Sequence, residues 1–244
     1  MTQPEIGAFS RRDLDLHPKP LTPEYKSSVL RSPQMARISF DNSLSEIAGP
    51  VFGHALLGPL DNDLIVNYAQ AGSSAIGERI IVHGRLLDEA GRPVRGALLE
   101  VWQANAGGRY RHKNDGYMAQ LDANFGGCGR TITDHDGQYS LRTVKPGPYP
   151  WPNGGNDWRP AHIHFSVFGD GFAQRLITQM YFEGDPHIAL CPIVQTINDP
   201  AAIDQLTAKL DMKRTIVMDA RAYQFDIVLR GRRSTLFENR LEGN

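Results

Sequence analysis

The sequence predicts an all-β fold, an antiparallel β-sandwich preceded by a long irregular arm and accompanied by one short helix. Three observations predict it. From Arg79 onward, short runs rich in β-branched and aromatic residues alternate with Gly, Pro, Asn and Asp clusters. Only one stretch carries a convincing helical start signal. Residues 1–77, by contrast, hold Pro-rich and polar clusters such as His17-Pro-Lys-Pro-Leu-Thr-Pro and show no sustained period.

The elements follow in order. The arm keeps Phe40, Ile47, Val51, Phe52, Leu64, Ile65 and Tyr68, so it is expected to pack on a partner subunit rather than stay disordered. Residues 78–244 form the sandwich. Its first strand is Arg79-Ile-Ile-Val-His-Gly-Arg-Leu-Leu-Asp, closed by a turn at Glu89-Ala-Gly-Arg-Pro. Val94 to Val101 is a second strand, and Thr131 to Thr143 makes two more around an Asp136-Gly137 turn. His162–Phe168 and Arg175–Phe182 follow. Asp199 then caps a helix with Pro200 at its first position and Ile203, Leu206 and Leu210 on one face. In the last strand, Ala222 to Arg230, Tyr223, Phe225, Ile227 and Leu229 alternate onto one side.

Bulk properties exclude several classes. A formal charge of −1 on 244 residues gives no field to attract nucleic acid or anionic lipid. No apolar run approaches the roughly 18 residues that a membrane span needs. Arg11-Arg12 is followed by Asp13, Asp15 and His17 rather than an apolar run, so no export signal is read. The two cysteines, Cys128 and Cys191, are too few and too far apart for a secreted framework; buried free thiols in a cytoplasmic protein are expected.

Chemistry concentrates in Arg159-Pro-Ala-His162-Ile-His164-Phe. Side chains two apart on a strand share a face, so both imidazoles point the same way and form half of a metal clamp. The same pair also suits a half-buried structural role. Tyr149 lies in the rigid turn Lys145-Pro-Gly-Pro-Tyr-Pro-Trp, and Tyr110 in the polar loop Gly107-Gly-Arg-Tyr-Arg-His-Lys. A frame of Gly84-x-Leu-x-Asp-x-x-Gly-x-Pro-Val-x-Gly-Ala, Thr133-Asp-x-Asp-Gly-x-Tyr and Pro146-Gly-x-Tyr resembles prealbumin-like sandwich modules, many of them non-catalytic. In such a module Tyr149 only packs a corner, and two histidines have no purpose.

Four segments together resemble the intradiol ring-cleavage dioxygenases: Glu100-Val-Trp-Gln-Ala-Asn-Ala-Gly-Gly-Arg-Tyr-Arg-His-Lys, Lys145-Pro-Gly-Pro-Tyr-Pro-Trp, Trp158-Arg-Pro-Ala-His-Ile-His-Phe and Ile177-Thr-Gln-Met-Tyr-Phe-Glu-Gly-Asp-Pro. The similarity runs from Leu21-Thr-Pro-Glu-Tyr to Arg230-Gly, and it is strongest toward the iron-carrying chains that act on protocatechuate. It implies one non-haem Fe(III) per chain, held by Tyr110, Tyr149, His162 and His164. Tyr149 and His164 would be axial, with Tyr149 the ligand that leaves, and Tyr110 and His162 equatorial.

The resemblance further implies a charge-stabilising Arg159 and a hydrogen-bonding Gln179. Trp151 and Ile193 would wall the substrate pocket, and Tyr25 would lie near the substrate carboxylate. The expected reaction is O2-dependent cleavage of protocatechuate in aromatic catabolism. The expected partner is a homologous α chain, joined in a larger oligomer. A catechol or hydroxyquinol dioxygenase is the rival reading; those enzymes begin with a helical region that residues 1–77 do not resemble.

The donor chemistry agrees. A phenol has a pKa of about 10, so two tyrosines are held as phenolates near neutrality only by a strong Lewis acid. Fe(III) with two phenolates and a hydroxide is neutral. A catechol dianion replacing one phenolate and the hydroxide leaves it neutral, so binding buries no net charge.

Overall fold

The computed structural model of the chain describes residues 21–24, 26–32, 54–168, 175–229 and 235. Among them, β1 (Arg79–Asp88), β2 (Leu98–Gln103), β3 (Cys128–Ile132), β4 (Gln138–Val144), β7 (His162–Phe168), β8 (Arg175–Phe182), β9 (Thr207–Leu210), β10 (Arg221–Gln224) and β11 (Ile227–Leu229) form one nine-stranded sheet. β5 (Tyr149–Pro150) and β6 (Trp158–Arg159) make a separate two-stranded ribbon. Helices are short: α1 (Lys26–Arg31) and α2 (Pro200–Gln205).

The sheet runs β4-β1-β10-β9-β8-β7-β2-β3, with β11 extending the β10 edge of β1. It curls like a barrel. Its two end strands, β3 and β4, are consecutive in sequence and turn at Asp136-Gly137, where Gly137 (φ +71°) leaves no room for a Cβ against the Leu86 carbonyl. The segment 61–64 seals the seam between them: Arg130 N donates to Asp61 O, Arg142 N to Asn62 O, and Leu64 N to Arg142 O.

Pairing is mixed rather than wholly antiparallel. β1 runs parallel to β10 and β11, and β8 parallel to β9. The helical period predicted through Leu210 breaks because Thr207–Leu210 is captured as β9 between β8 and β10. The helix therefore stops at Gln205; its predicted start is observed, with Asp199 accepting from Ala201 N and Pro200 at the first position. The last strand is interrupted at Phe225-Asp226. Gly84 lies so close to the Phe225 carbonyl that a Cβ would overlap it, and Asp226 Oδ1 takes the Arg85 N–H in place of a ladder carbonyl. The predicted alternation survives the break: Tyr223, Phe225, Ile227 and Leu229 are all buried.

One large core fills the interior of the curl, with Ile80 and Val82 of β1, Leu99 and Val101 of β2, Ile163, Phe165 and Val167 of β7, and Met180 and Phe182 of β8. The odd-numbered residues of β7 thus face inward, and His162 and His164 face out. A second, smaller cluster of Tyr181, Cys191, Val194, Ile197, Ala202 and Leu206 packs outside that part of the sheet.

Two expectations are corrected. Leu64 and Ile65 are buried in this chain's own core, so that part of the 1–77 arm needs no partner to cover it. Phe40, Ile47, Val51 and Phe52 lie outside the described residues. Cys191 is buried and free as expected, but Cys128, also free, is exposed at the start of the end strand β3. Among the described residues, no helix is long and apolar enough to cross a membrane.

Candidate metal centre

The outward face of β2, β7 and β8 presents a row set by register. Trp102 pairs with His164, His164 with Gln179, and His162 with Tyr181. Trp102 stacks on the His164 imidazole at 4.8 Å with the rings only 3° from parallel, which limits rotation of that ring. His162 is fixed differently. Its Nδ1 lies 2.7 Å from the Pro160 carbonyl, which can only accept, so Nδ1 carries the proton and Nε2 offers a lone pair. Burial first, then the nearby Arg159 guanidinium and His164, hold His162 well below the usual histidine pKa, and the ring is neutral.

Two loops bring phenols over this row. In the loop after β2, Asn105 Oδ1 accepts from Gly107 N and Arg109 N, while its amide donates to Gln120 O. Asp115 then accepts from Tyr110 N at 2.7 Å and from Tyr117 N at 2.8 Å. These contacts shape the loop around the Tyr110 backbone. The second loop lies backbone to backbone on the first. Gly147 N donates to Asn105 O, and a Cβ on Gly147 would come within 2.5 Å of Ala106 O. Gly108 has φ +81°, and a Cβ there would meet Pro148 O at 2.3 Å. Glycine at both positions lets the loops approach closely enough for Tyr110 and Tyr149 to meet edge to face, 5.6 Å between ring centroids.

The four polar heads converge. Tyr110 Oη is 3.2 Å from His162 Nε2 and 3.1 Å from His164 Nε2; Tyr149 Oη is 3.4 Å from His162 Nε2. Donors about 2.1 Å from a shared centre lie roughly 3.0–3.4 Å apart at right-angle to tetrahedral geometry. Among the described residues, no group of three His, Cys, Asp or Glu could hold a metal ion, so a centre built here must use the phenols. Two imidazoles with two phenols, anionic once deprotonated, make a hard donor set that fits Fe(III).

The other predicted residues divide. Arg159 and Gln179 are buried beside the four donors, with Arg159 Nη2 donating to Gln179 Oε1. Tyr181 Oη also donates to that oxygen, at 3.4 Å. The ribbon sets Tyr149 directly opposite Arg159, and the Arg159 guanidinium lies 5.6 Å from the Trp151 ring. Ile193 is half-buried against the cluster that includes Tyr181. Tyr25 lies outside the described residues. Sequence reasoning assigned no role to Trp102, Asp115, Gly108 or Gly147. Trp102 carried a usable signal, since it shares the outward phase of β2; Asp115 carried none, because its partners are backbone amides brought to it by a loop.

Comparisons with known proteins show the family of the chain. The family described as Dioxygenase matches residues 47–231, and the family described as Protocatechuate 3,4-dioxygenase beta subunit N terminal matches residues 10–43. The chain is 52% identical over 238 residues to the protocatechuate 3,4-dioxygenase beta chain of Burkholderia cepacia, covering 98% of this chain and 100% of that one. It is 37% identical to the protocatechuate 3,4-dioxygenase alpha chain of Pseudomonas putida, over 68% of this chain and 79% of the other. Among solved structures, hydroxyquinol 1,2-dioxygenase from Pseudomonas putida DLL-E4 aligns with TM-score 0.53 at 25% identity, covering 84% of this chain and 71% of that one. Catechol 1,2-dioxygenase from Acinetobacter sp. ADP1 aligns with TM-score 0.52 at 26% identity, over 75% of this chain and 61% of the other.

Proposed function

This chain belongs to the intradiol ring-cleavage dioxygenase family, and from that premise we propose that it carries the ferric centre of an enzyme that opens protocatechuate with O2. The ring of 3,4-dihydroxybenzoate is cut between its hydroxyl-bearing carbons, giving 3-carboxy-cis,cis-muconate with both oxygen atoms retained. The observation that carries the reading is the meeting of Tyr110, Tyr149, His162 and His164 at hydrogen-bond distance on one face of the sheet. The full-length likeness to the Burkholderia chain supports protocatechuate over catechol, as does the match of residues 10–43.

Fe(III), when bound, supplies a Lewis acid that favours the catecholate form of the substrate and draws electron density from it, easing reaction with triplet O2. The chain's own residues do the rest. Tyr110, Tyr149, His162 and His164 would hold the metal, and Tyr149, the one that would yield to substrate, would take one hydroxyl proton. Its position supports this: it sits on a ribbon of two residue pairs and makes the longest of the three contacts. Tyr110 stays, touching both imidazoles from a loop tied at Asn105 and Asp115. His162 and His164 hold the sheet side of the centre.

Arg159, permanently charged and buried, stabilises negative charge developing on the ring, and Gln179 orients it. Trp151 and Ile193 form walls, and Tyr25 serves the carboxylate by resemblance. The curled sheet, with β4-β1-β10 facing β2-β7-β8 across one core, supports the sandwich description.

The partner in this reading is a homologous α chain, on the model of the paired chains to which this one is similar. Oxygen uptake by the co-expressed pair, compared on protocatechuate, catechol and hydroxyquinol, tests the function. Protocatechuate should have the highest kcat/KM. A preference for either of the others overturns the substrate, and a fully active homo-oligomer made without an α chain overturns the partner.

A further inference from the structure

The ribbon that carries Tyr149 and Arg159 consists of two residue pairs and belongs to no larger sheet. So short a ribbon has little stability of its own. Its tip, Trp151 to Asp157, is held from within: Trp151 N donates to Asp157 O, and Asn153 N to Trp151 O. It is also held from outside, across more than a hundred residues of sequence. Asn153 is only 6% exposed, and both ends of its side-chain amide are engaged. Oδ1 accepts from Lys26 N at 2.8 Å. Nδ2 donates to Glu24 O at 2.9 Å and to Asp157 Oδ2 at 3.2 Å. The Asp157 carboxylate only accepts, so it fixes which way the Asn153 amide faces.

This is a backbone-reading clamp. A primary amide has the donor–acceptor pair of a peptide group, and here it bonds the arm as a strand neighbour would. It takes the carbonyl of one residue and the N–H two positions on. Lys26 N–H is also the first amide of α1 and has no partner within the helix, so Asn153 caps that helix from another part of the chain.

We propose that Asn153 is a positioning residue for substrate binding: by clamping the arm at Glu24 and Lys26 it braces the ribbon that presents Tyr149, Trp151 and Arg159. The inference rests on the protocatechuate reading above. Substrate must meet Tyr149, Trp151 and Arg159 in register, and an unbraced ribbon presents them in register for less of the time. Three of the four donors are anchored elsewhere, His162 and His164 on β7 and Tyr110 on its own loop; only Tyr149 rides on the ribbon. Losing the clamp should therefore weaken substrate binding and leave the metal in place.

The test uses the co-expressed pair. Asn153→Ala removes the clamp from the ribbon side. Lys26→Pro removes one of its bonds from the arm side, in a position where proline is compatible with the helix start. Each should raise KM for protocatechuate, about tenfold for Asn153→Ala and about threefold for Lys26→Pro, in proportion to the hydrogen bonds lost. kcat should stay within about twofold, with iron content unchanged. Amide exchange in residues 27–31 should quicken in both variants, and the double variant should be no worse than Asn153→Ala.

Unchanged KM in both variants overturns the proposal, and so does loss of iron in Asn153→Ala. If Asn153→Ala fails to fold, Lys26→Pro alone decides. A wild-type pair that turns over catechol but not protocatechuate defeats the substrate reading instead. Exchange in α1, with KM measured on catechol, then still decides the clamp.

Discussion

The two histidines and the two tyrosines of the candidate centre are held by opposite means. His162 and His164 stand on β7, a seven-residue strand paired along both edges, with Phe165 and Val167 of the same strand wholly buried on its other face. Tyr110 and Tyr149 stand on segments outside the nine-stranded sheet, fixed by Asn105, Asp115 and glycines that let backbone meet backbone. Ladder hydrogen bonds break cooperatively, so the strand cannot move one ligand alone. A loop tied at single points can release one phenol and keep the other. The division suits the proposed centre, in which His162, His164 and Tyr110 would stay and Tyr149 would depart.

The largest expected effect comes from breaking the strand side. His162→Ala or His164→Ala should lower iron affinity by more than the roughly 10–100-fold typical of losing an outer partner, read as iron per chain after dialysis. Cys128→Ser and Cys191→Ser should leave iron content unchanged; iron loss in a cysteine variant alone would show that the ligands are misassigned. On the loop side, Tyr110→Phe and Tyr149→Phe should each weaken the reddish phenolate-to-iron band while retaining more iron than the histidine variants. Colourless wild-type protein at full iron occupancy would dismiss the phenols as ligands.

A second comparison sets glycine against glycine. Gly108→Ala forces a Cβ to 2.3 Å from Pro148 O at φ +81°. It should cost about 1–3 kcal/mol of stability and shift the visible band, because the clash lies between the two tyrosine loops. Gly116 sits in the same loop with nothing within 4 Å of a Cβ, and Gly116→Ala should change neither property. On the frame side, Tyr139 donates to the Phe225 carbonyl inside the core. Tyr139→Phe should lose about 1 kcal/mol in a thermal melt, with iron and colour intact. Equal spectral effects from Gly108 and Tyr139 would erase the distinction between site loops and frame.

What the sequence made legible follows the same division. The period of two in His162-x-His164 and in Tyr223-x-Phe225-x-Ile227-x-Leu229 is a local property, and the structure keeps it even through the break at Asp226. Strand limits at Arg79–Asp88, His162–Phe168 and Arg175–Phe182 were readable for the same reason. Pairing direction was not, because parallel neighbours such as β1 and β10 are chosen by the path of the intervening chain. Leu206 and Leu210 fitted a helix locally, yet the exposed edge of β8 recruited Thr207 onward as a strand. Tyr110 and Tyr149 stood out locally only as tyrosines in conspicuous turns, and resemblance alone implied a ligand role for them. Nothing local says that Gly108 and Gly147 bring their loops together, and Asn153 and Asp115 act on backbone that composition does not mark.

The smallest predicted effect separates the substrate side from the metal side. Protocatechuate differs from catechol by a carboxylate, which requires a polar or cationic pocket. Tyr25 can offer it only a neutral hydrogen bond, so the remainder should come from the α chain. Tyr25→Phe should therefore raise KM for protocatechuate about fivefold, the effect of one hydrogen bond of roughly 1 kcal/mol. KM for catechol should not move, since catechol has no carboxylate to lose contact with. Iron content and colour should stay at wild-type values, because all four donors lie on elements that Tyr25 does not belong to. Equal KM changes for both substrates would make Tyr25 a support of the arm rather than a carboxylate contact. An unchanged KM for protocatechuate would remove it from the site and leave the whole of carboxylate recognition to the partner chain, with the ligand set untouched in either case.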